Sequence, residues 1–307
     1  MGAGRGVSVS RVVLVGQRGQ VGQVLLRGLA DAAMEMDVVA LDRCQLDLTQ
    51  PEQIRATMAD LCPQIIINAA AYTAVDQAET EVAQAQVINA EAPEQLAIAA
   101  ADCGAQLIHF STDYVFDGQR GIPWGEADVP RPLGVYGQTK LAGEVAIRQA
   151  LPDHHLIVRT AWVYGATGKS NFVKTLLRLG QTRDVIKVVQ DQVGTPTWAE
   201  DLVRAVVTLV DQGDRVPPGT YHYTNSGVAS WYDFAIAIFE EARALGLPLT
   251  VQDVQPIPSQ AYFTAAQRPL YSVLDCQKIT ALLGYPAPHW RVSLRTMLRQ
   301  YLQDKHP

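Results

Sequence analysis

A buried strand that runs straight into a glycine loop and then a helix restricts a chain more than its composition does. Arg11-Val12-Val13-Leu14-Val15 is a short, apolar, β-branched run, the pattern of a strand buried on both faces. Gly16-Gln17-Arg18-Gly19-Gln20-Val21-Gly22 follows without a break, and Gln23 to Ala33 reads as a helix with Val24, Leu25 and Leu29 on one face. The glycine spacing is GxxGxxG. Gly16 permits a tight turn, Gly19 lets the backbone approach a pyrophosphate, and Gly22 lets the helix pack on the strand. The N–H groups of such a helix start favour an anion. The plain alternative is a glycine-rich turn with no ligand, and the strand-loop-helix context argues against it.

The next segments extend that cradle. Val38 to Leu41 is a second strand that ends at Asp42-Arg43. An acid there binds adenosine ribose hydroxyls, whereas the adjacent Arg43, with Arg18, suits a 2′-phosphate. Two cations against one anion lean toward NADPH, with NADH also accepted. Asp47 and Leu48 can meet an adenine amino group and ring face. The same stretch also reads as a helix start with Thr49 as N-cap and Pro51 in the first turn. Gln64 to Thr73 reads as a third strand running into small residues, so that Ala70, Ala71, Tyr72 and Thr73 lie beside the glycine loop. Ala83 to Cys103 reads as one alanine-rich helix carrying Asn89, which either bridges to the site or faces solvent.

The second constraint is a phenol and an ammonium one helical turn apart. Gln106 to Phe110 is a buried strand closed by Ser111-Thr112, and Tyr136 opens a helix through Ala150 that carries Lys140. In a parallel α/β sheet, ligands bind at the strand C-termini. A hydroxyl there, with Tyr136 and Lys140 on the next helix, forms a proton relay for carbonyl chemistry. A free tyrosine has a pKa of ~10. Lys140 is expected to lower it and to hold a nicotinamide ribose. A lone YxxxK is usually a surface pair; the glycine loop and the hydroxyl strand end reverse that reading. The loop through Gly121, Pro123, Pro130 and Pro132 is long enough to suggest a working role.

Strand and helix alternate up to Leu156-Ile157-Val158-Arg159-Thr160, the doubly wound α/β signature. Beyond about residue 168 the pattern loosens into a smaller lobe. The expected division is a tail over 1–10, a dinucleotide-binding domain over 11–167, and a lobe over 168–307 with some segments returning to the first domain. The formal net charge is -6, which argues against a nucleic-acid binder. No apolar run is long enough to span a membrane. The first ten residues lack the apolar core of a signal peptide, and Cys44, Cys62, Cys103 and Cys276 are scattered without CxxC spacing. A cytoplasmic protein with reduced cysteines is expected.

Gly16-x-x-Gly19-x-x-Gly22, Asn68-Ala69-Ala70, Ser111-Thr112-Asp113-Tyr114 and Tyr136-x-x-x-Lys140 together resemble the extended short-chain dehydrogenase/reductase family. Arg159-Thr-Ala-Trp-Val-Tyr164, Gly194-Thr-Pro-Thr197, Trp231-Tyr-Asp233 and Arg268-Pro269 resemble its branch that acts on dTDP-sugars. The resemblance runs from Arg11 onward. It implies a Rossmann-type sheet with a C-terminal substrate-binding lobe. It also implies NAD(P)H-dependent reduction of the C4 ketone of dTDP-4-dehydro-L-rhamnose to dTDP-L-rhamnose. By matching motif, Thr112, Tyr136 and Lys140 are the catalytic set, Trp162 is a wall of the sugar pocket, and Asp113 and Tyr114 lie beside the sugar. Asn171, Lys174 and Arg268 become contacts for the diphosphate or the base. Some members of the family join subunits through a magnesium ion held by glutamates. The matching positions here hold Val24, Glu200 and Gln300, one carboxylate, so the implied state is a monomer or a metal-independent dimer. Another 4-keto sugar reductase, an epimerase, and a non-catalytic regulatory subunit remain open at this point.

Overall fold

The protein was analysed as a computed structural model that describes residues 10–32 and 35–303. Six strands form one parallel sheet: β1 (Ser10–Val15), β2 (Met36–Leu41), β3 (Ile65–Asn68), β4 (Gln106–Thr112), β5 (His155–Thr160) and β6 (Gly219–His222). Their spatial order is β6-β5-β4-β3-β1-β2. The chain therefore reverses direction across the sheet between β1 and β3, the switch point at which such sheets bind ligands. Register pairs Val15 with Asn68 and Thr112 with Thr160, so the C-terminal ends of β1, β3, β4 and β5 share one edge.

Both faces of the sheet are covered, as its near-continuous apolar strands require. One face buries Val12, Leu14, Ile108 and Val158 beneath α1 (Gln20–Ala30) and α6 (Ala199–Gln212). The other buries Val13, Ile66, Leu107 and Ile157 beneath α2 (Pro51–Leu61), α3 (Ala92–Cys103) and α4 (Val135–Ala150). A separate core gathers α5 (Phe172–Gly180), α7 (Trp231–Ala244) and α8 (Trp290–Gln303) around Val173, Leu177, Phe234, Ile238 and Leu294. Beside it the short strands Val185–Val189 and Asp253–Ile257 pair in parallel. α6, β6 and the helix Gln277–Leu283 come late in the chain but pack on the first core.

Several local expectations change. Ser10 belongs to β1, paired with Met36, rather than to a tail; residues 1–9 and Ala33 lie outside the described residues. The third strand stops at Asn68, because Ala70 N–H turns to the Asn68 side chain instead of a neighbouring strand. Gln50, not Thr49, stands at the N-cap of α2; the Thr49 hydroxyl donates to Asp47 at 2.9 Å. The helix expected from Ala83 to Cys103 is broken by a π-turn over Val87–Glu91. Pro93 follows directly, and its ring would collide with the Asn89 carbonyl in a regular helix; the wider turn relieves that. The Asn89 side chain is thereby aimed inward, where it holds both backbone groups of Tyr72 and the Thr139 hydroxyl.

α4 is tied to the sheet by a buried ion pair. Arg159 donates to Glu144 through Nε at 2.8 Å and through its terminal nitrogen at 2.6 Å, and Ser111 donates to the same carboxylate at 2.6 Å. Burial raises the Glu144 pKa, but Arg159, Ser111 and Arg148 outweigh it and leave the group below its ordinary range. A depressed carboxylate pKa stabilises the fold above the unfolded value, and that contribution disappears as pH falls through the folded value. Arg159→Met keeps the bulk and strands the carboxylate, so urea unfolding at neutral pH should show a loss of about 3–5 kcal/mol. The gap to the wild type should narrow in acid.

Candidate active site

A cleft of about 550 Å³ opens at the switch point, lined by Gly16, Arg18, Gly19, Asp42, Arg43, Asp47, Leu48, Ala70, Ala71 and Tyr72 among others. Ten of the positions singled out in the sequence thus share one surface. Gly16 has φ +89, and a Cβ there would stand 2.7 Å from Ala70 N. A Cβ on Gly22 would stand 2.1 Å from the Gly16 carbonyl oxygen, so Gly22 serves packing behind the cleft. Gln20, Val21, Gly22 and Thr73 are not lining residues. Gln20 instead donates to the Val163 carbonyl and accepts from Asn171. Arg18 pairs with Asp42 at 2.6 Å, so the one acid at the end of β2 is already neutralised. Cys44, Leu46, Glu81, Gln84 and Ile88 also line the cleft and were not found from the sequence. Glu81, nine residues on, accepts from the Tyr72 hydroxyl at 2.7 Å, a contact with no motif behind it.

Thr112, Tyr136 and Lys140 are not lining residues of this cleft; they gather at the C-terminal end of β4. Thr112 ends β4; its hydroxyl donates to Asp113 and accepts from Tyr114 N–H, each at 3.1 Å. The rings of Tyr136 and Tyr114 meet edge-on at 5.5 Å. Burial pushes the Tyr136 phenol up to about 12; its hydrogen bond with the Thr112 side chain opposes this, and the Asp113 charge adds to it. Lys140 is turned elsewhere, to His109 Nε2 at 2.9 Å and to the Phe110 carbonyl at 2.6 Å. The expected lowering of the phenol pKa by Lys140 is therefore corrected: desolvation dominates, and it pushes Lys140 itself down to about 8. Burial also lifts Asp113 to about 6, against hydrogen bonds from Ser272 and Thr112.

Trp162 follows β5 with φ +49, a left-handed conformation that is strained for a large side chain. Its indole stacks on Trp231 at 3.5 Å and 5°. On Gly194 a Cβ would stand 2.7 Å from the indole, so only glycine fits there. The other expected substrate residues fall into two groups, Arg268 with Tyr114 and Asn171 with Lys174. Arg268 grips Asp76 at 2.7 and 3.2 Å and reaches the Tyr114 hydroxyl. Asn171 caps α5 by accepting from Lys174 N–H at 3.0 Å, while its amide donates to Gln20 and Gly165. Lys174 donates to the Thr167 and Gly168 carbonyls and lines a second cleft of about 350 Å³ with Lys169, Arg178 and Tyr301.

The magnesium positions also read differently in three dimensions. Val24 is core, and the α1 side chain that meets Glu200 is Arg27, at 3.5 Å. Among the described residues, no group of three or more His, Cys, Asp or Glu is placed to hold a metal ion. No helix among them is long and apolar enough to cross a membrane.

The family model described as RmlD substrate binding domain matches residues 10–303. A protein of Escherichia coli K12 named dTDP-4-dehydrorhamnose reductase is 43% identical over 293 residues, which cover 94% of this chain and 97% of that protein. The spore coat polysaccharide biosynthesis protein SpsK of Bacillus subtilis 168 is 39% identical, with 97% and 98% covered. Among solved structures, dTDP-4-dehydrorhamnose reductase from Bacillus anthracis in complex with NADP aligns with a TM-score of 0.88 at 37% identity, over 95% of this chain and all of that one. The Thermus thermophilus UDP-glucose 4-epimerase, at 18% identity and a TM-score of 0.79, shares the fold alone.

The raised Asp113 pKa carries a testable consequence. An acid whose folded pKa lies above its unfolded value stabilises the fold at low pH and loses that contribution as pH rises through the folded value. The Asp113 contribution should therefore be lost between the unfolded value of 3.8 and about 6. Asp113→Asn removes the charge, and in thermal or urea melts it should exceed the wild type at pH 7 by on the order of 2 kcal/mol. The difference should vanish near pH ~4.

Proposed function

The chain belongs to the family described as RmlD substrate binding domain, and from that membership we propose that it reduces the C4 ketone of dTDP-4-dehydro-L-rhamnose to dTDP-L-rhamnose. It is an NADPH-dependent oxidoreductase, with NADH accepted less well. The observation that carries the reading is the meeting of Thr112, at the end of β4, with Tyr136 of α4, on the sheet edge where β1 runs into the glycine-lined cleft. The cleft residues fit a dinucleotide: Gly16 and Gly19 leave the backbone open to a pyrophosphate, and Arg18 and Arg43 stand at the rim where a 2′-phosphate would lie. Bound NADPH supplies the hydride that arrives at the ketone carbon.

The remaining work falls to side chains. Negative charge builds on the ketone oxygen as the hydride arrives, and a donor must meet it in the transition state. Thr112 is the hydrogen-bond donor and Tyr136 the acid. A phenol held at about 12 keeps its proton in the ground state yet still yields it to an alkoxide, which is a stronger base. Lys140 is the group that would hold the nicotinamide ribose. The Trp162 indole, clamped by Trp231 and Gly194, is the wall against which the sugar rests. Asp113 and Tyr114 complete the sugar side, with Arg268 behind Tyr114. Asn171 and Lys174 act at one remove, by shaping the loop from 165 to 171 toward the diphosphate.

Three outcomes test this reading. Tyr136→Phe keeps the ring and removes the acid; steady-state reduction should fall by about 10²–10⁴ while fluorescence still reports NADPH binding. A variant within threefold of the wild type would end the assignment of Tyr136. Because Asp42 is neutralised by Arg18, the 2′-phosphate meets little repulsion, and Arg43→Ala should cut the NADPH-over-NADH ratio of kcat/KM by roughly two- to fivefold. Finally, Glu200 already faces Arg27, so we propose a monomer or a dimer that needs no metal. Its mass by light scattering should be the same with and without a chelator.

A further inference from the structure

Lys140, one turn from the proposed acid on α4, ends a buried chain of hydrogen bonds that the reaction as written does not use. Ala70 N–H donates to Asn68 Oδ1 at 3.1 Å. That contact settles which end of the amide is which, so Asn68 Nδ2 is the atom that faces His109 Nδ1 at 3.1 Å. On the far side of the ring, His109 Nε2 stands 2.9 Å from Lys140 Nζ, which donates to the Phe110 carbonyl at 2.6 Å. Asn68, His109 and Lys140 are all at most 2% exposed, so bulk water is not an alternative partner.

Proton counting leaves this chain two self-consistent states. A neutral imidazole has one N–H and one bare nitrogen. In the geometry observed, Nδ1 accepts from Asn68, the ring proton is on Nε2, and Lys140 receives it on a lone pair, as an amine. If Lys140 is an ammonium it donates to Nε2, and the ring proton moves to Nδ1. There it would face the Asn68 NH₂, donor against donor, unless the amide turns over and opposes Ala70 N–H instead. A doubly protonated ring is not an alternative, since burial and the neighbouring Lys140 hold the His109 pKa well below its ordinary value.

We propose that Asn68 and His109 are positioning residues that couple the charge of Lys140 to the tautomer of His109, the amine going with Nε2–H and the ammonium with Nδ1–H. The unmade hydrogen bond in the second state works against the ammonium. It draws the titration of Lys140 toward the working pH, so that the amine gains and loses a proton instead of staying a fixed charge. Burial acts in the same direction, and Glu144, one turn on in α4, opposes it. The Glu144 charge is itself matched by Arg159 from β5 and by Arg148. Asn68 from β3 and Asn89 from the π-turn bring no charge. His109 lies in an otherwise ordinary apolar strand and has no motif that would single it out.

The proposal deepens the role given to Lys140 and rests on that reading for its catalytic meaning. Its test is ¹⁵N NMR of the histidine rings of the whole protein, without substrate or cofactor, from about pH 6 to 10. The His109 proton should sit on Nδ1 in acid and on Nε2 in base, with a midpoint near about 8. In Lys140→Met the switch should disappear. His109→Gln offers an amide oxygen to an ammonium with no tautomer to change, so the pH midpoint of single-turnover reduction should rise by about one unit or more. A ring that keeps one tautomer throughout, or a switch that persists in Lys140→Met, would overturn the proposal. Because this readout needs no substrate, a working switch in a protein that reduces no 4-keto sugar would instead sink the proposed function.

Discussion

Two missing side chains hold the arrangement together. A Cβ on Gly16 would strike the backbone of Ala70, and one on Gly22 would strike the Gly16 carbonyl. With hydrogen in both places, β1 turns sharply, α1 packs down on it, and the ends of β1 and β3 close to backbone contact. The cleft exists because of that contact, and everything else is set by sheet register. Asn68 pairs with His109, Thr112 with Thr160, and the chain then delivers Trp162 just beyond. A slip of one residue in β4 would turn Thr112 to the opposite face.

The site is electrostatically uniform in one respect. Burial pushes the Tyr136 phenol and the Asp113 carboxyl up and the Lys140 ammonium down. Each shift favours the uncharged form. Such surroundings strengthen every donor that faces a developing alkoxide, because no solvent screens it. Charge is tolerated nearby only where it is matched, as in Glu144 with Arg159, or Asp76 with Arg268. These pairs also tie α4 to β5 and the loop carrying Arg268 to the helix Val75–Ala78, so the electrostatics and the tertiary structure share residues.

Much of this was legible in the sequence because it is local. The glycine spacing, the strand ends and the Tyr136–Lys140 turn are each set within a few residues, and ten cleft residues came from such runs. What was missed depends on contacts that no local spacing rule announces, nine residues apart in one case and thirty-one in another. Nothing beside Tyr72 announces that Glu81 will meet it, nor beside Lys140 that His109 will hold it. The direction of Lys140 was misjudged for that reason: four residues along a helix place a charge near a phenol, but a buried carbonyl and imidazole decide where it points. The π-turn at Asn89 escaped too, since alanine-rich periodicity gives no sign that Pro93 must be accommodated by widening the turn before it.

The central claim is that hydride goes to C4 of a dTDP-linked 4-keto sugar in the cleft beside Tyr136. It is tested most directly by following the atom. The protein should be incubated with dTDP-4-dehydro-L-rhamnose and NADPH deuterated at the transferable position, and the sugar product examined by NMR and mass spectrometry. The account predicts dTDP-L-rhamnose with one deuterium, at C4. A product without deuterium, deuterium at another carbon, or a keto sugar returned unreduced while NADPH remains bound would contradict it.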